Sequence, residues 1–353
     1  MKLKFMEGKL GKWIKRILVI LVIVGLLVFG VVKLVQNKSS NVEKNALETL
    51  EKLDSYYMEA SMDFYKGEDT RSYIVKVSYQ KADETDLFRV SMYDKAINQE
   101  QIIIKNQDGV YVLTPALNQA YKFKGDWPLN GHKPYLYQSM IETMQGTCDI
   151  SKLDDGYLVT STPDFKNMPS WARQEMKLTK DYKPIWVHIY DNNNDVAVKI
   201  GFSKVEFNST FADNYFNVQE NMNESRNNLD TTTSSTMEDL PLYPVNADID
   251  ATLKEVSNIT VNGQSQVMLT YSGNENFTVI ESTIKSYDEY FEKEVNGQIV
   301  DIYGVLGYVV SNDNINKLYF TYNGVSYQLY SDCVSVSTLI EVASGMEFVT
   351  PVK

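Results

Sequence analysis

From residue 57 onward, apolar and polar residues alternate with a period of two, and no other feature limits the fold as tightly. In residues 57–65, Met58, Ala60, Met62 and Phe64 alternate with Tyr57, Glu59, Ser61, Asp63 and Tyr65. Tyr73, Val75, Val77 and Tyr79 share one face of the next run, and Phe88, Val90 and Met92 share one face of the run after it. Successive side chains of a strand point to opposite sides of its sheet. Such runs are therefore antiparallel strands with one face on a core and the other on water. The abundance of Tyr, 24 residues, suits that architecture.

The pattern extends along the chain. Residues 42–55 read as a short amphipathic helix, with Ala46, Leu47, Leu50 and Leu53 on one face. Two strand-like runs, 101–105 and 110–113, flank Asn106-Gln107-Asp108-Gly109, a hairpin signal. Pro115 to Asn118 makes another turn before 119–123. The spacing of Tyr137, Met140, Ile141 and Met144 predicts a helix over 133–144. Strands resume over 149–161 and 172–207, broken by polar turns, and short connections imply that sequential strands pair. Residues 220–240 hold almost no large apolar residue and read as a linker. A second strand-rich region follows, with runs at 267–271, 277–282, 298–310 and 317–330. Asn323-Gly324 makes a hairpin there, and a helix over 337–343 ends at Gly345.

Ahead of all this, the sixteen residues from Ile17 to Val32 are only apolar residues and Gly. As a helix they cover about 24 Å of a hydrocarbon layer roughly 30 Å thick. Trp13 suits one interface, Lys15, Arg16 and Lys33 snorkel outward, and Leu34 and Val35 extend the span. Lys2, Lys4, Lys9, Lys12, Lys15 and Arg16 precede it against Glu7 alone, so the N-terminus is expected in the cytoplasm and the bulk outside. The expected organisation is a basic tail over 1–16, a transmembrane signal anchor over 17–35 and a first domain over 41–219. The linker over 220–240 and a small second domain over 241–353 complete it. The rival is a cleaved signal peptide, but residues 31–40 hold no Ala and no small-residue cleavage pattern.

To residue 38 there are eight Lys and Arg against one acid, a net of +7; the chain as a whole carries −12, which leaves −19 on the remainder. A surface that acidic does not track a nucleic-acid backbone, and anionic headgroups repel it. Its plainest meaning is solvation. Cys148 and Cys333 either join the two regions in a disulfide, which an extracytoplasmic location permits, or stand as lone thiols.

No catalytic set emerges. Neither His132, in a 131–134 loop, nor His188, on a strand face with Trp186 and Tyr190, has a second His or Cys at ligand spacing. Asp191-Asn192-Asn193-Asn194-Asp195 looks like the start of a calcium loop. It has Val196 where Gly is needed and Phe202 where a bidentate Glu is needed. No G-x-S-x-G and no P-loop occurs. No catalytic residue, metal or cofactor is expected. What remains is a face. Met58, Met62, Phe64, Val75, Val77, Phe88, Val90 and Met92 form either an ordinary core or the wall of an apolar ligand site, for which adaptable Met is suited.

Residues 46–64 (ALETLEKLDSYYMEASMDF), 87–94 (LFRVSMYD) and above all 101–128 (QIIIKNQDGVYVLTPALNQAYKFKGDWP) resemble the LolA-like group of Gram-positive envelope proteins. Arg89, then Asp108 and Gly109, then Tyr111, Pro115, Asn118 and Gln119 follow that group's order. Through 277–282, 318–330 and STLIEVASGM over 337–346, the second region resembles the module that follows LolA-like domains in sporulation proteins of the YdcC type. The first region is also similar to the germination lipoprotein GerS, although no Cys precedes Cys148 to carry a lipid.

The resemblance implies a mainly β (α+β) chain: a LolA-like antiparallel half-barrel with plugging helices, then a small second α+β domain. In Gram-negative relatives the apolar concave face carries the acyl chains of lipoproteins. A tethered chain carries nothing far. The expectation is therefore a membrane-anchored, extracytoplasmic, non-enzymatic binding protein of sporulation, germination or envelope assembly. Its partner would be a cell-wall enzyme or another envelope protein. The alternative is a lipid or lipoprotein carrier or sensor that uses the concave face.

Overall fold

The computed structural model describes residues 41–347, apart from 68, 126, 129–130, 229–239 and 246–248. The expected span from Ile17 to Val32 lies outside the described residues. Among those described, no helix is long and apolar enough to cross a membrane.

Helix α1 (41–51) leads into β1 (Ser55–Lys66), β2 (Asp69–Gln80), β3 (Leu87–Asp94), β4 (Gln99–Asn106), β5 (Gly109–Thr114) and β6 (Gln119–Phe123). Helix α2 (Tyr137–Glu142) interrupts the strands. Then come β7 (Cys148–Lys152), β8 (Gly156–Ser161), β9 (Trp171–Thr179), β10 (Pro184–Asp191) and β11 (Val196–Phe207). They form one antiparallel sheet in the order β6-β5-β4-β3-β2-β1-β11-β10-β9-β8-β7. β1 joins its two halves: Met58 lies opposite Val77 on one side and Val205 on the other, and Met62 opposite Tyr73 and Ile200.

The helix expected over 133–144 forms only over Tyr137–Glu142, with a tight turn at Thr143–Gln145 after it. Leu136 is extended, at φ −94° and ψ 131°, so the first helical residue is Tyr137.

β4 carries Ile102-Ile103-Ile104 without alternation because both of its faces are covered. Ile103 joins the main core. Ile102 and Ile104 pack with Tyr111, Leu113 and Ala120 beneath Met222 of α3 (Val218–Asn228). The stretch read as a linker from residue 220 thus begins as a helix on the outer face of the sheet. Polar bonds also pin it: Arg89 Nε donates to Asn221 Oδ1 at 2.5 Å, and the Ser91 and Ser225 hydroxyls donate to the Glu100 carboxylate.

The second region comprises β12 (Tyr243–Pro244), β13 (Ala251–Val261), β14 (Gln264–Gly273), β15 (Phe277–Thr283), β16 (Phe291–Val295), β17 (Gln298–Ile302), β18 (Val305–Asn312), β19 (Ile315–Tyr322) and β20 (Val325–Ser331), closed by α4 (Val336–Ser344) and β21 (Met346–Glu347). A second antiparallel sheet has the order β13-β14-β15-β20-β19-β18-β17, and β12 pairs with β21. β16 leaves that sheet and runs parallel to β6, with Phe291 opposite Gln119 and Val295 opposite Phe123. The first sheet therefore gains a strand from the second region. The run read as continuous over 298–310 is a hairpin, turned by Tyr303 at φ 51° and Gly304 at φ 90°.

Candidate binding site

All eight residues of the expected ligand face lie on the inner side of the first sheet, and none is more than 4 % exposed. They line up across strands: Met58 opposite Val77, Val77 opposite Val90, and Val75 opposite Met92. Met58, Val75, Val77, Val90 and Met92 are packed within the main core. Tyr137, Met140 and Ile141 of α2 belong to the same core.

The second region closes on this face from the other end. The Tyr303 ring lies 6.2 Å from that of Phe64, and a Cβ added at Gly304 would sit 2.2 Å from Tyr73 Cε2. Lys66 pairs with Glu341 at 3.0 Å and donates to Ser344 Oγ at 2.6 Å. Arg71 Nη2 donates to the Ser344 carbonyl at 3.0 Å. Two cations thus meet the C-terminal end of α4, where the helix dipole is negative. The Tyr322 hydroxyl donates to Asp94 Oδ2 at 3.3 Å. The concave face is filled by side chains of the chain itself.

Where the two regions meet, a chamber of about 70 Å³ remains, bordered by Met62, Phe64, Trp127, Phe165, Met168 and Trp171. Sites for drug-sized ligands run to about 300–1,000 Å³. By itself the chamber has room for a few waters and not for an acyl chain, and its Trp127, Lys166 and Gln298 wall continues into a larger cleft.

The polar wall of the chamber holds His132, Lys133 and Asp301. His132 Nε2 lies 2.6 Å from Gln174 Oε1, and burial pushes the imidazole down to about 4, so it is neutral near pH 7. Burial likewise lowers Lys133 to about 8; its ammonium donates to the Gly131 carbonyl at 3.2 Å. Asp301 is pushed up to about 6 by burial, against the Gly304 N–H that its Oδ1 accepts at 2.6 Å.

Among the described residues, no three His, Cys, Asp or Glu gather as a metal site. His188 stacks on Trp186 with centroids 4.3 Å apart. Asp191 Oδ1 accepts the Asn193 and Asp195 N–H groups at 2.9 and 2.8 Å, a side-chain-closed turn. Cys148 and Cys333 are free thiols.

Two larger clefts open at the margins of this face and meet at Gly131; Phe88 of the expected ligand face lines one, and Trp127 borders both the other and the chamber. One, of about 510 Å³, runs beside α2 past Phe88, Leu136, Gln138 and Glu142. The other, of about 900 Å³, lies between Trp127, Lys166, Gln298 and Val309. Their walls come from loops and strands far apart in sequence, so no local pattern announces them. An outer feature is β13, an edge strand on which Leu253 is 40 % exposed and Val256 and Val261 are 45 % exposed.

No family model matches the chain. The structure of the MucA/MucB complex of Pseudomonas aeruginosa is 12 % identical, covering 86 % of this chain and 99 % of that one, at a TM-score of 0.31. A putative outer membrane lipoprotein-sorting protein domain from Vibrio parahaemolyticus is 13 % identical, covering 51 % of this chain and 97 % of that one, at a TM-score of 0.29. Sporulation protein YdcC of Bacillus subtilis (strain 168) is 28 % identical over 305 residues, which span 85 % of this chain and 88 % of that protein. The resemblance read from the sequence to proteins of the YdcC type is thereby borne out, and the chain is a homologue of that sporulation protein.

Proposed function

We propose that this chain is a membrane-anchored, extracytoplasmic, non-enzymatic protein of sporulation or germination that binds a protein partner, such as a cell-wall enzyme, through the clefts at the margins of its concave face. The observation that carries this reading is the filled concave face: Met58, Val77, Val90 and Met92 are core, and the remaining chamber is about 70 Å³. Recognition then falls to the margins of that face, where clefts of about 510 and 900 Å³ adjoin. The relationship to YdcC supports the link to sporulation. The apolar run from Ile17 to Val32 behind its basic flank supports the anchor. Affinity capture from detergent-solubilised membranes of sporulating cells tests the reading. A partner enriched over a control carrying residues 1–40 alone supports it, and no enrichment sinks it.

The second reading is a lipid carrier or sensor. Its support is the chamber wall of Met62, Phe64, Phe165 and Met168, which would widen if the β17–β18 turn withdrew. Native mass spectrometry of the full chain released from lipid-rich detergent micelles decides it. A retained lipid adduct would favour it over the first reading.

A further inference from the structure

Glu281 lies on the inner face of β15, in line with Phe277 and Val279, and is 0 % exposed. Its cross-strand neighbours are Val267 and Tyr327. Oε2 accepts the Leu242 N–H at 2.9 Å, and Oε1 is buried without a hydrogen-bond partner. A buried polar atom left unpaired is costly, and an apolar side chain would avoid that cost.

What Glu281 holds is the segment 240–245, which brings the chain into the second sheet. Beyond Leu242, Tyr243 pairs with Glu347 and Pro244 with Met346, and the Val245 N–H donates to the Gly345 carbonyl at 2.7 Å. Gly345 caps α4, and the adjacent Ser344 receives Lys66 and Arg71 from the first sheet. One buried carboxyl therefore anchors a strap that ends at the contact between the two sheets.

We propose that Glu281 is a protonation-linked latch: segment 240–245 is held against the second sheet while the carboxyl is neutral and is released when it ionises. Burial pushes this carboxyl up to about 8, and the Leu242 N–H opposes the shift without cancelling it. The titratable groups facing it are Tyr271 on β14 and Tyr327 on β20, with Tyr243 of the strap beside Tyr271 and Arg71 beyond Tyr327. Both facing phenols are themselves raised by burial, so Glu281 ionises before them. A carboxylate in a dry core must admit water or swing out. Its hydrogen bond goes to the strap, whereas the strands around it are paired along their length. The strap is the part that yields.

Hydrogen–deuterium exchange on the full chain in detergent, corrected for intrinsic base catalysis, tests the latch. Between about pH 6 and about pH 9.5, protection over 240–245 should fall by about tenfold or more. The amides of β19 and β20 should hold, and Glu281→Gln should keep the strap protected throughout. A wild-type strap that does not respond to pH overturns the proposal, as does a loss that persists in the variant. Should Glu281→Gln not fold, the wild-type pH profile decides. A loss of protection that levels off near pH 8 supports the latch; a loss that begins only above about pH 10, where tyrosines ionise, overturns it.

Discussion

The side-chain amide of Gln101 pairs with the backbone of Leu306 as a neighbouring strand would. Its Oε1 accepts the Leu306 N–H at 2.7 Å, and its Nε2 donates to the Leu306 carbonyl at 3.2 Å. Gln101 belongs to β4 and Leu306 to β18, so this pair ties the two sheets directly above the concave face. Leu306 is buried, and its peptide groups need partners that water does not supply there.

Gln101→Leu preserves volume and removes both bonds. It is expected to destabilise the chain by about 1–3 kcal/mol, the cost of leaving buried backbone groups unpaired. Gln101→Glu keeps an acceptor for the Leu306 N–H but turns a second oxygen towards the Leu306 carbonyl, so it too should be less stable than the wild type. Urea denaturation of the three proteins ranks them, and equal midpoints would mean that the pair does not hold the sheets together.

Gly304 turns the β17–β18 hairpin at φ 90° with the Tyr73 ring against it. Gly304→Ala is expected to cost at least about 1 kcal/mol from the backbone conformation alone, and more from the clash. Tyr73→Ala in the same chain should recover the steric part and leave the conformational part. A double-mutant cycle separates the two contributions; strictly additive effects would argue against the contact.

Met92→Ala tests whether the inner face is core. Met92 is 2 % exposed within the main core, so its truncation is expected to cost about 2–5 kcal/mol. Partner capture by the fraction that folds should be unchanged. A loss of under about 1 kcal/mol together with lost capture would point to an open, functional face instead.

Stability should depend on pH through two buried groups of opposite sign between about pH 4 and 8. His132 titrates below its ordinary value, so its contribution is present above about 6.5 and is lost as pH falls towards about 4. Glu281 titrates above its ordinary value, so its contribution is present below 4.5 and is lost as pH rises through about 8. Denaturation midpoints across that range should show His132→Gln flattening the acid limb and Glu281→Gln the alkaline one. If both variants follow the wild-type curve, other groups set the profile.

Alternation and turn residues alone show which residues share a face and where the chain turns. Alternation at Met58, Val77 and Val90 placed them on one side of β1, β2 and β3, because side-chain direction in a strand follows from the backbone alone. Asp108-Gly109 and Asn323-Gly324 marked their hairpins because few residues tolerate the φ that such turns require. What covers each face is set by packing between segments distant in the chain. Periodicity shows that a side is apolar and says nothing of whether α2, the β17–β18 turn or a ligand lies against it. The same limit hid α3, whose burial on the outer face rests on Met222 and on polar bonds to Arg89 and Glu100. It hid β16 as well, which is exposed over Glu292, Lys293 and Glu294 and is held by backbone pairing to β6. Backbone hydrogen bonds carry no side-chain signature, so only the folded chain shows that the second region contributes a strand to the first.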